Sequence, residues 1–265
     1  MKKNVTVIGH RGIAAAYPEN TLISFEKAVE AGVDAIEFDV HMTRDEQLVV
    51  THDPTVNRCS NGTGDVNSYT LNQLKALDFG KWKSPEFAGT RIPTLDETLD
   101  AIHAKRPELF LLVELKDDRE ACTRMVLDVL RRRNLLGNSL VLSFHSRQLK
   151  LLRELEPGIR LQGFPHRYLK IPCPELYDFI DKVCIWNHEA SAAEVEEFHK
   201  RGIEVDVYPV DDELQLEKVL ALDIDSITTN AAHTMIPLLE KRGLRCPGVP
   251  AAREALCRHQ RQRQA

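Results

Sequence analysis

Short runs of β-branched and apolar residues alternate along the chain with longer stretches in which apolar positions recur every three or four residues. Nine of the short runs read as strands, at residues 5–9, 35–41, 48–51, 110–115, 140–144, 160–164, 182–186, 204–210 and 226–229. Helical spacing fills most of the gaps: Val126, Val129 and Leu130 precede the run at 140, and Val195 and Phe198 precede Ile203. Alternating β and α elements predict a mainly parallel sheet wrapped by helices. Only residues 42–47, with Arg44-Asp45 at their centre, separate the second run from the third. A parallel crossover needs a dozen or more residues, so these two runs join as an antiparallel hairpin. Setting aside the returning arm leaves eight strands. Eight strands in a chain of 265 residues predict an α/β fold of the (β/α)8 barrel type rather than an open doubly wound sheet.

Local signals refine this outline. Pro18 and Asn20-Thr21 stand ahead of Leu22, Phe25, Ala28 and Val29, and Gly32 follows, which marks the start and stop of a first helix. Residues 54–91 break the rhythm: they are rich in Asn, Gly, Ser, Thr and Asp, contain Asn61-Gly62-Thr63-Gly64, and carry Tyr69, Phe79, Trp82 and Phe87. They read as a compact insertion after the second barrel strand. Its aromatic residues either form a small core of their own, the favoured reading, or line an apolar cleft. A helix opens behind it at Thr94-Leu95-Asp96-Glu97-Thr98. From Arg245 the chain turns basic (Arg253, Arg258, Arg261, Arg263), so the domain is expected to span 1–245 and residues 246–265 to form a frayed or disordered tail.

Composition removes several classes. With 28% charged and 43% hydrophobic residues the chain is neither disordered nor collagen-like, and a net charge of −5 argues against a general nucleic-acid binder. The longest stretch free of charged residues, 226–239, includes Thr228, Thr229, Asn230 and His233, far from the roughly 20 apolar residues of a membrane span. Six cysteines (59, 122, 173, 184, 246, 257) form no CxxC pair and read as reduced thiols. The opening Met1-Lys2-Lys3 runs straight into Val5-Thr6-Val7-Ile8 and then His10-Arg11, unlike a signal peptide, so a cytoplasmic location is expected.

Candidate chemistry sits at strand ends. In Ile36-Glu37-Phe38-Asp39-Val40 the two carboxylates share one face of a strand. On the face that lines a barrel they repel unless a cation lies between them; on a wet edge the same alternation carries no function. Glu114 and Lys116 repeat the pattern at the end of Leu112-Val113-Glu114-Leu115-Lys116, the end at which barrel active sites assemble, although a lone salt bridge would look the same. His10 follows the first strand between Gly9 and Arg11-Gly12, and folding the hairpin brings His52-Asp53 level with Glu37 and Asp39. Three hard oxygen ligands (Glu37, Asp39, Glu114) suit Mg²⁺ or Ca²⁺ rather than zinc. Arg11 and Lys116 would neutralise a phosphodiester, and His10 and His52 suit a reaction needing one acid and one base. The chemistry described is metal-assisted phosphodiester cleavage.

At these residues the chain resembles the glycerophosphodiester phosphodiesterase family. The shared motifs are Gly9-His10-Arg11-Gly12, Pro18-Glu19-Asn20-Thr21, Glu37-Phe38-Asp39-Val40, Thr43-Arg44-Asp45, Val49-Val50-Thr51-His52-Asp53, Asn61-Gly62-Thr63-Gly64, Ile92-Pro93-Thr94-Leu95 and Glu114-Leu115-Lys116, in order over about residues 5 to 120. The weaker Leu142-Ser143-Phe144 is similar to the next strand end. The resemblance implies a TIM barrel with a small insertion, a divalent ion on Glu37, Asp39 and Glu114, acid–base roles for His10 and His52, and phosphate contacts at Arg11 and Lys116. It also implies hydrolysis to sn-glycerol 3-phosphate and an alcohol such as choline or ethanolamine; no nucleic-acid partner is expected, from the acidic net charge. The C-terminal half departs from the pattern. Tyr208-Pro209-Val210-Asp211 stands where Trp-Thr-Val-Asn is usual, Thr229-Asn230-Ala231-Ala232 where Thr-Asp-x-Pro is usual, and Thr43-Arg44-Asp45-Glu46 where Thr-Lys-Asp-Gly is usual. Tyr208 keeps an aromatic face for glycerol or a head group, or else packs in the core. Two other readings stay open: a phosphodiesterase acting on lysophospholipids, and a non-catalytic glycerophosphodiester-binding protein.

Overall fold

The computed structural model describes residues 4–245. Their strands and α-helices follow in the order β1 (Thr6–His10), α1 (Leu22–Ala31), β2 (Ala35–Met42), β3 (Leu48–Val50), α2 (Leu71–Ala76), α3 (Leu95–Lys105), β4 (Phe110–Leu115), α4 (Glu120–Arg132), β5 (Ser139–Leu142), α5 (Ser146–Leu155), β6 (Arg160–Gly163), α6 (Leu176–Phe179), β7 (Lys182–Trp186), α7 (Ala192–Lys200), β8 (Glu204–Tyr208), α8 (Glu213–Leu220), β9 (Ser226–Thr229) and α9 (Ala232–Lys241). Eight of the strands run parallel and close on themselves, because β1 pairs with both β2 and β9. The exception is β3, the returning arm of the hairpin, antiparallel to β2 with Val40 opposite Val50. β1 covers the edge of β2 as far as Glu37, and β3 takes over that edge beyond it. The expected TIM barrel is thus observed, with strand ends displaced by up to two residues. β8 stops at Tyr208 rather than at 210, where Pro209 offers no N–H to a ladder.

The helix signals act as read. The Thr21 hydroxyl caps α1 by accepting from the Ser24 N–H, and Gly32 ends it at φ 84°. Thr94 and Glu97 form a reciprocal capping box on α3.

Alternation along the strands produces two apolar layers. Ile36, Phe38 and Val40 of β2, with Leu111, Val113 and Leu115 of β4, face outward into the large core beneath the helices. Ala35, Phe110 and Leu112 face inward with Ile8, Leu140, Leu142, Phe164 and Cys184, filling the barrel interior. Farther along the same inner faces come Glu37 and Asp39 on β2 and Glu114 on β4. The β2 and β4 faces are therefore apolar deep in the barrel and acidic at the C-terminal rim, while buried Gln162, Lys182 and Asp206 make the opposite side of the interior polar.

The insertion has a core of its own, in which Val56, Cys59, Val66, Leu74, Phe79 and Ile92 pack with Val49 of β3. Its aromatics divide: Phe79 is in that core and Tyr69 against it, Phe87 packs on Tyr17, and Trp82 is 37% exposed. Arg245, the last residue of the expected domain, is buried and paired with Asp34 Oδ1 at 3.0 Å. The expected tail, residues 246–265, lies outside the described residues with Cys246 and Cys257; Cys59, Cys122, Cys173 and Cys184 are free and buried. Among the described residues no helix is long and apolar enough to cross a membrane.

Because Leu74 is fully buried in the insertion's core, Leu74→Ala is expected to cost about 2–5 kcal/mol, against less than about 1 kcal/mol for Trp82→Ala. Urea unfolding checks the contrast; equal losses would mean that the insertion has no separate core.

Candidate active site

The first strand ends in a turn that the sequence forces into an uncommon shape. Arg11 lies at φ 52° and Gly12 at φ 87°, both in the left-handed region. A Cβ at Gly12 would fall 2.3 Å from Ser24 Oγ, so only glycine fits there. Ser24 Oγ accepts from the Ile13 N–H at 2.9 Å and donates to the Arg11 carbonyl at 2.9 Å, pinning the turn to α1. The Arg11 N–H meets both the Glu37 backbone oxygen (3.0 Å) and its Oε2 (3.1 Å). On the other side, the Thr51 N–H donates to the Asp39 carbonyl at 3.0 Å, and that register carries His52 to the rim.

All eight residues singled out in the sequence converge here. His10, Arg11, Glu37, His52, Glu114, Lys116 and Tyr208 line one cavity of about 640 Å³, and Asp39 is fully buried beside it. Ligand oxygens of Glu37, Asp39 and Glu114 lie within 4.8 Å of one another. Arg11 Nε is 3.2 Å from Asp39 Oδ2, while Lys116 Nζ is 2.6 Å from Glu114 Oε1 and 3.3 Å from Asp39 Oδ1. Asn20 Nδ2 donates to Asp39 Oδ2 at 2.7 Å.

These neighbours treat the carboxylates unequally. Burial works against the charge on Asp39, but Lys116, Arg11, His52 and the Asn20 hydrogen bond overcome it and hold this carboxyl well below its usual range. Burial, with Asp39 and Glu114 nearby, pushes Glu37 well above its usual range. Burial raises Glu114 to about 7 against the pull of Lys116.

The histidines differ in what stands behind them. His10 Nδ1 is 2.6 Å from Asn230 Oδ1, its Nε2 is 3.9 Å from Glu37 Oε2, and the Tyr208 ring packs on it at 4.8 Å. Burial, then Arg11, lowers its pKa to about 3. His52 is lowered by burial too, but its Nδ1 is 2.7 Å from Asp53 Oδ1. Asp53 accepts from Arg58 Nε at 2.7 Å, and Arg58 also forks onto Glu19 with two contacts of 2.8 Å; Glu19 in turn accepts from Arg11 at 2.7 Å.

Sequence reasoning did not single out Glu19, Asn20, Arg58, Asp211 or Asn230 for the site. Glu19 and Asn20 stand in a shared motif, and Asn230 and Asp211 in departures from one, which was the available signal. Arg58 carried none.

A (β/α)8 barrel with an acidic trio set between two histidines and two cations at its C-terminal rim defines the class of phosphodiesterases built on this fold. The chain belongs to the glycerophosphoryl diester phosphodiesterase family, whose model matches residues 10–234. The Bacillus subtilis (strain 168) protein YhdW is 33% identical over 235 residues, 84% of this chain and 93% of its own length. The glycerophosphodiester phosphodiesterase of Caldanaerobacter subterraneus subsp. tengcongensis is 31% identical over 248 residues, 89% of this chain and 98% of its own. Among solved structures, an Oleispira antarctica phosphodiesterase in complex with the product sn-glycerol-3-phosphate superposes with a TM-score of 0.81 at 26% identity, covering 89% of this chain and 97% of that one. The chain is an enzyme of this family, a phosphoric diester hydrolase.

The unequal carboxylates predict opposite mutational signs in protein held in EDTA. A raised folded pKa means that ionising Glu37 destabilises the fold as pH rises, so Glu37→Gln is stabilising near neutrality and the gain fades towards about pH 4. Asp39 has a depressed pKa and neutralises buried cations, so Asp39→Asn costs about 3–5 kcal/mol near neutrality. Urea titrations at two pH values check this, and a loss for both variants at neutral pH would refute the asymmetry.

Proposed function

We propose that the chain hydrolyses glycerophosphodiesters to sn-glycerol 3-phosphate and an alcohol, using a divalent cation on Glu37, Asp39 and Glu114 and an acid–base pair formed by His10 and His52. The observation that carries the reading is a pair of buried carboxylate oxygens left short of donors. Glu37 Oε1 is buried without a hydrogen-bond donor, and Asp39 Oδ1 beside it meets only the Lys116 ammonium at 3.3 Å, both close to Glu114. Such oxygens cost free energy unless a cation meets them, and an all-carboxylate set fits Mg²⁺ or Ca²⁺. When bound, the ion supplies Lewis-acid stabilisation of charge on the phosphoryl oxygens.

The chain's own residues supply the rest. Arg11 and Lys116 make the rim attractive to an anionic diester. His10 is kept neutral by burial, so its Nε2 can take the proton of the attacking oxygen, from water or from the substrate's neighbouring hydroxyl. His52 is backed by the Asp53 carboxylate, which stabilises an imidazolium and suits it to protonate the departing alkoxide, whose conjugate acid has a pKa of about 15. Tyr208 offers an apolar wall for the glycerol carbons. The product named for the Oleispira antarctica structure supports the same substrate class. All eight residues fall between 10 and 208, so residues 1–245 form the catalytic unit. Free buried cysteines fit a reducing, cytoplasmic setting.

One feature favours a second substrate. An open groove leads from Lys116 past Phe144 and Tyr168 to Ile171, which is 68% exposed, and could seat the acyl chain on the glycerol of a lysophospholipid.

The test is release of sn-glycerol 3-phosphate from choline, ethanolamine, glycerol and inositol glycerophosphodiesters. Release should be lost in EDTA and restored by Mg²⁺ or Ca²⁺. His10→Ala and His52→Ala should each lose about 10²- to 10⁴-fold in kcat with unchanged thermal unfolding, and near-normal turnover in both would sink the acid–base assignment. Rates on lysolipids that rise with acyl length would favour the second substrate.

A further inference from the structure

We propose that Asp211 and Asn230 act together as a positioning pair that fixes which nitrogen of His10 carries hydrogen and aims the other at the substrate. The inference rests on the reading of His10 as the base.

An amide facing an imidazole could in principle present either its oxygen or its NH₂ group. Asp211 removes the choice. Its carboxylate only accepts, and Asn230 Nδ2 donates to Asp211 Oδ2 at 2.7 Å. Asp211 Oδ1 accepts from the Asn230 backbone N–H at 2.7 Å and from Thr229 Oγ1 at 3.1 Å, so the carboxylate is held by three donors. The Asp211 N–H is anchored in turn on Gln215 Oε1 at 2.8 Å. With its NH₂ turned to Asp211, Asn230 presents its carbonyl oxygen to His10 Nδ1 at 2.6 Å. An amide oxygen cannot donate, so Nδ1 bears the hydrogen and the neutral ring keeps its lone pair on Nε2. That nitrogen lies on the Glu37 side, and Tyr208 packs on the ring from another direction. Neither Asp211 nor Asn230 touches the reacting atoms; the pair acts through His10.

Both positions are among those where the chain departs from the family pattern: aspartate at 211 in place of asparagine, and asparagine at 230 in place of aspartate. Their direct contact makes the two departures one reciprocal exchange that keeps one carboxylate and one amide in the pair.

The experiment compares wild type, Asp211→Asn, Asn230→Asp and the double exchange. Long-range ¹⁵N–¹H spectra of histidine-labelled protein in EDTA, with His10 assigned by difference from His10→Ala, read the tautomer without turnover. Wild type should show hydrogen on Nδ1 alone. Asp211→Asn frees the Asn230 amide to turn, and should give a tautomer mixture and a kcat lower by about 10- to 100-fold at a KM within about twofold. Asn230→Asp sets two carboxylates against each other and should lose activity too. The double exchange should restore the Nδ1–H tautomer and most of kcat. Hydrogen on Nε2 in wild type, unchanged kcat in Asp211→Asn, or a double variant no better than the singles would each overturn the proposal. Asp211→Asn is isosteric and decides the question even if Asn230→Asp fails to fold. Should wild type hydrolyse no glycerophosphodiester, the catalytic reading fails while the spectra still report on the pair.

Discussion

Glu37 and Asp39 stand two residues apart on the inner face of β2, inside a closed barrel where little water can screen them. Nearly everything around them follows from that crowding. Arg11, Lys116 and Asn20 all turn toward Asp39 and settle its charge, which leaves Glu37 as the carboxylate whose ionisation is opposed. Arg11 reaches Asp39 only because its backbone adopts a left-handed turn, and that turn exists because Gly12 tolerates the approach of Ser24. A constraint on one strand face thus dictates backbone geometry in the loop beside it. Strain at such a loop persists when the surroundings over-determine it, as α1 and β2 do here.

The same charge logic extends outward to the insertion. Arg11 and Arg58 would repel if left alone; Glu19 lies between them and accepts from both. Arg58 belongs to the insertion, and its other contact is Asp53, the carboxylate behind His52. The insertion is stabilised by its own core, yet its Arg58 ties the second histidine to the first strand's turn. Exposed ion pairs contribute little to stability, so this network is better understood as orienting His52 than as holding the insertion in place.

Legibility in the sequence followed locality. The barrel was readable because strand alternation, a six-residue hairpin spacing and helix caps are each encoded within a few residues. Glu37, Asp39 and Glu114 were readable because period-two alternation flags a polar inner face. Alternation does not report depth or partners, however. Glu204-Val205-Asp206-Val207-Tyr208 alternates in the same way, yet Asp206 lies buried below the rim, where Ser226 and Thr228 hydroxyls and the Cys184 thiol satisfy it. Arg58 was illegible because its role depends on where a long loop folds back. Asp211 and Asn230 looked like two independent losses because 18 intervening residues hide a direct contact.

That contact changes what the divergent C-terminal half means. Substitutions spread over two strand ends look like erosion when counted by position, and erosion would argue for a site losing its function. Seen through their hydrogen bonds, the changes at 211 and 230 conserve the number of donors and acceptors and move one charge from one member of the pair to the other. A neutral amide then stands behind His10 while a carboxylate stands behind His52. The two histidines of the cavity are thereby given different supports, which is what the opposite parts proposed for them require.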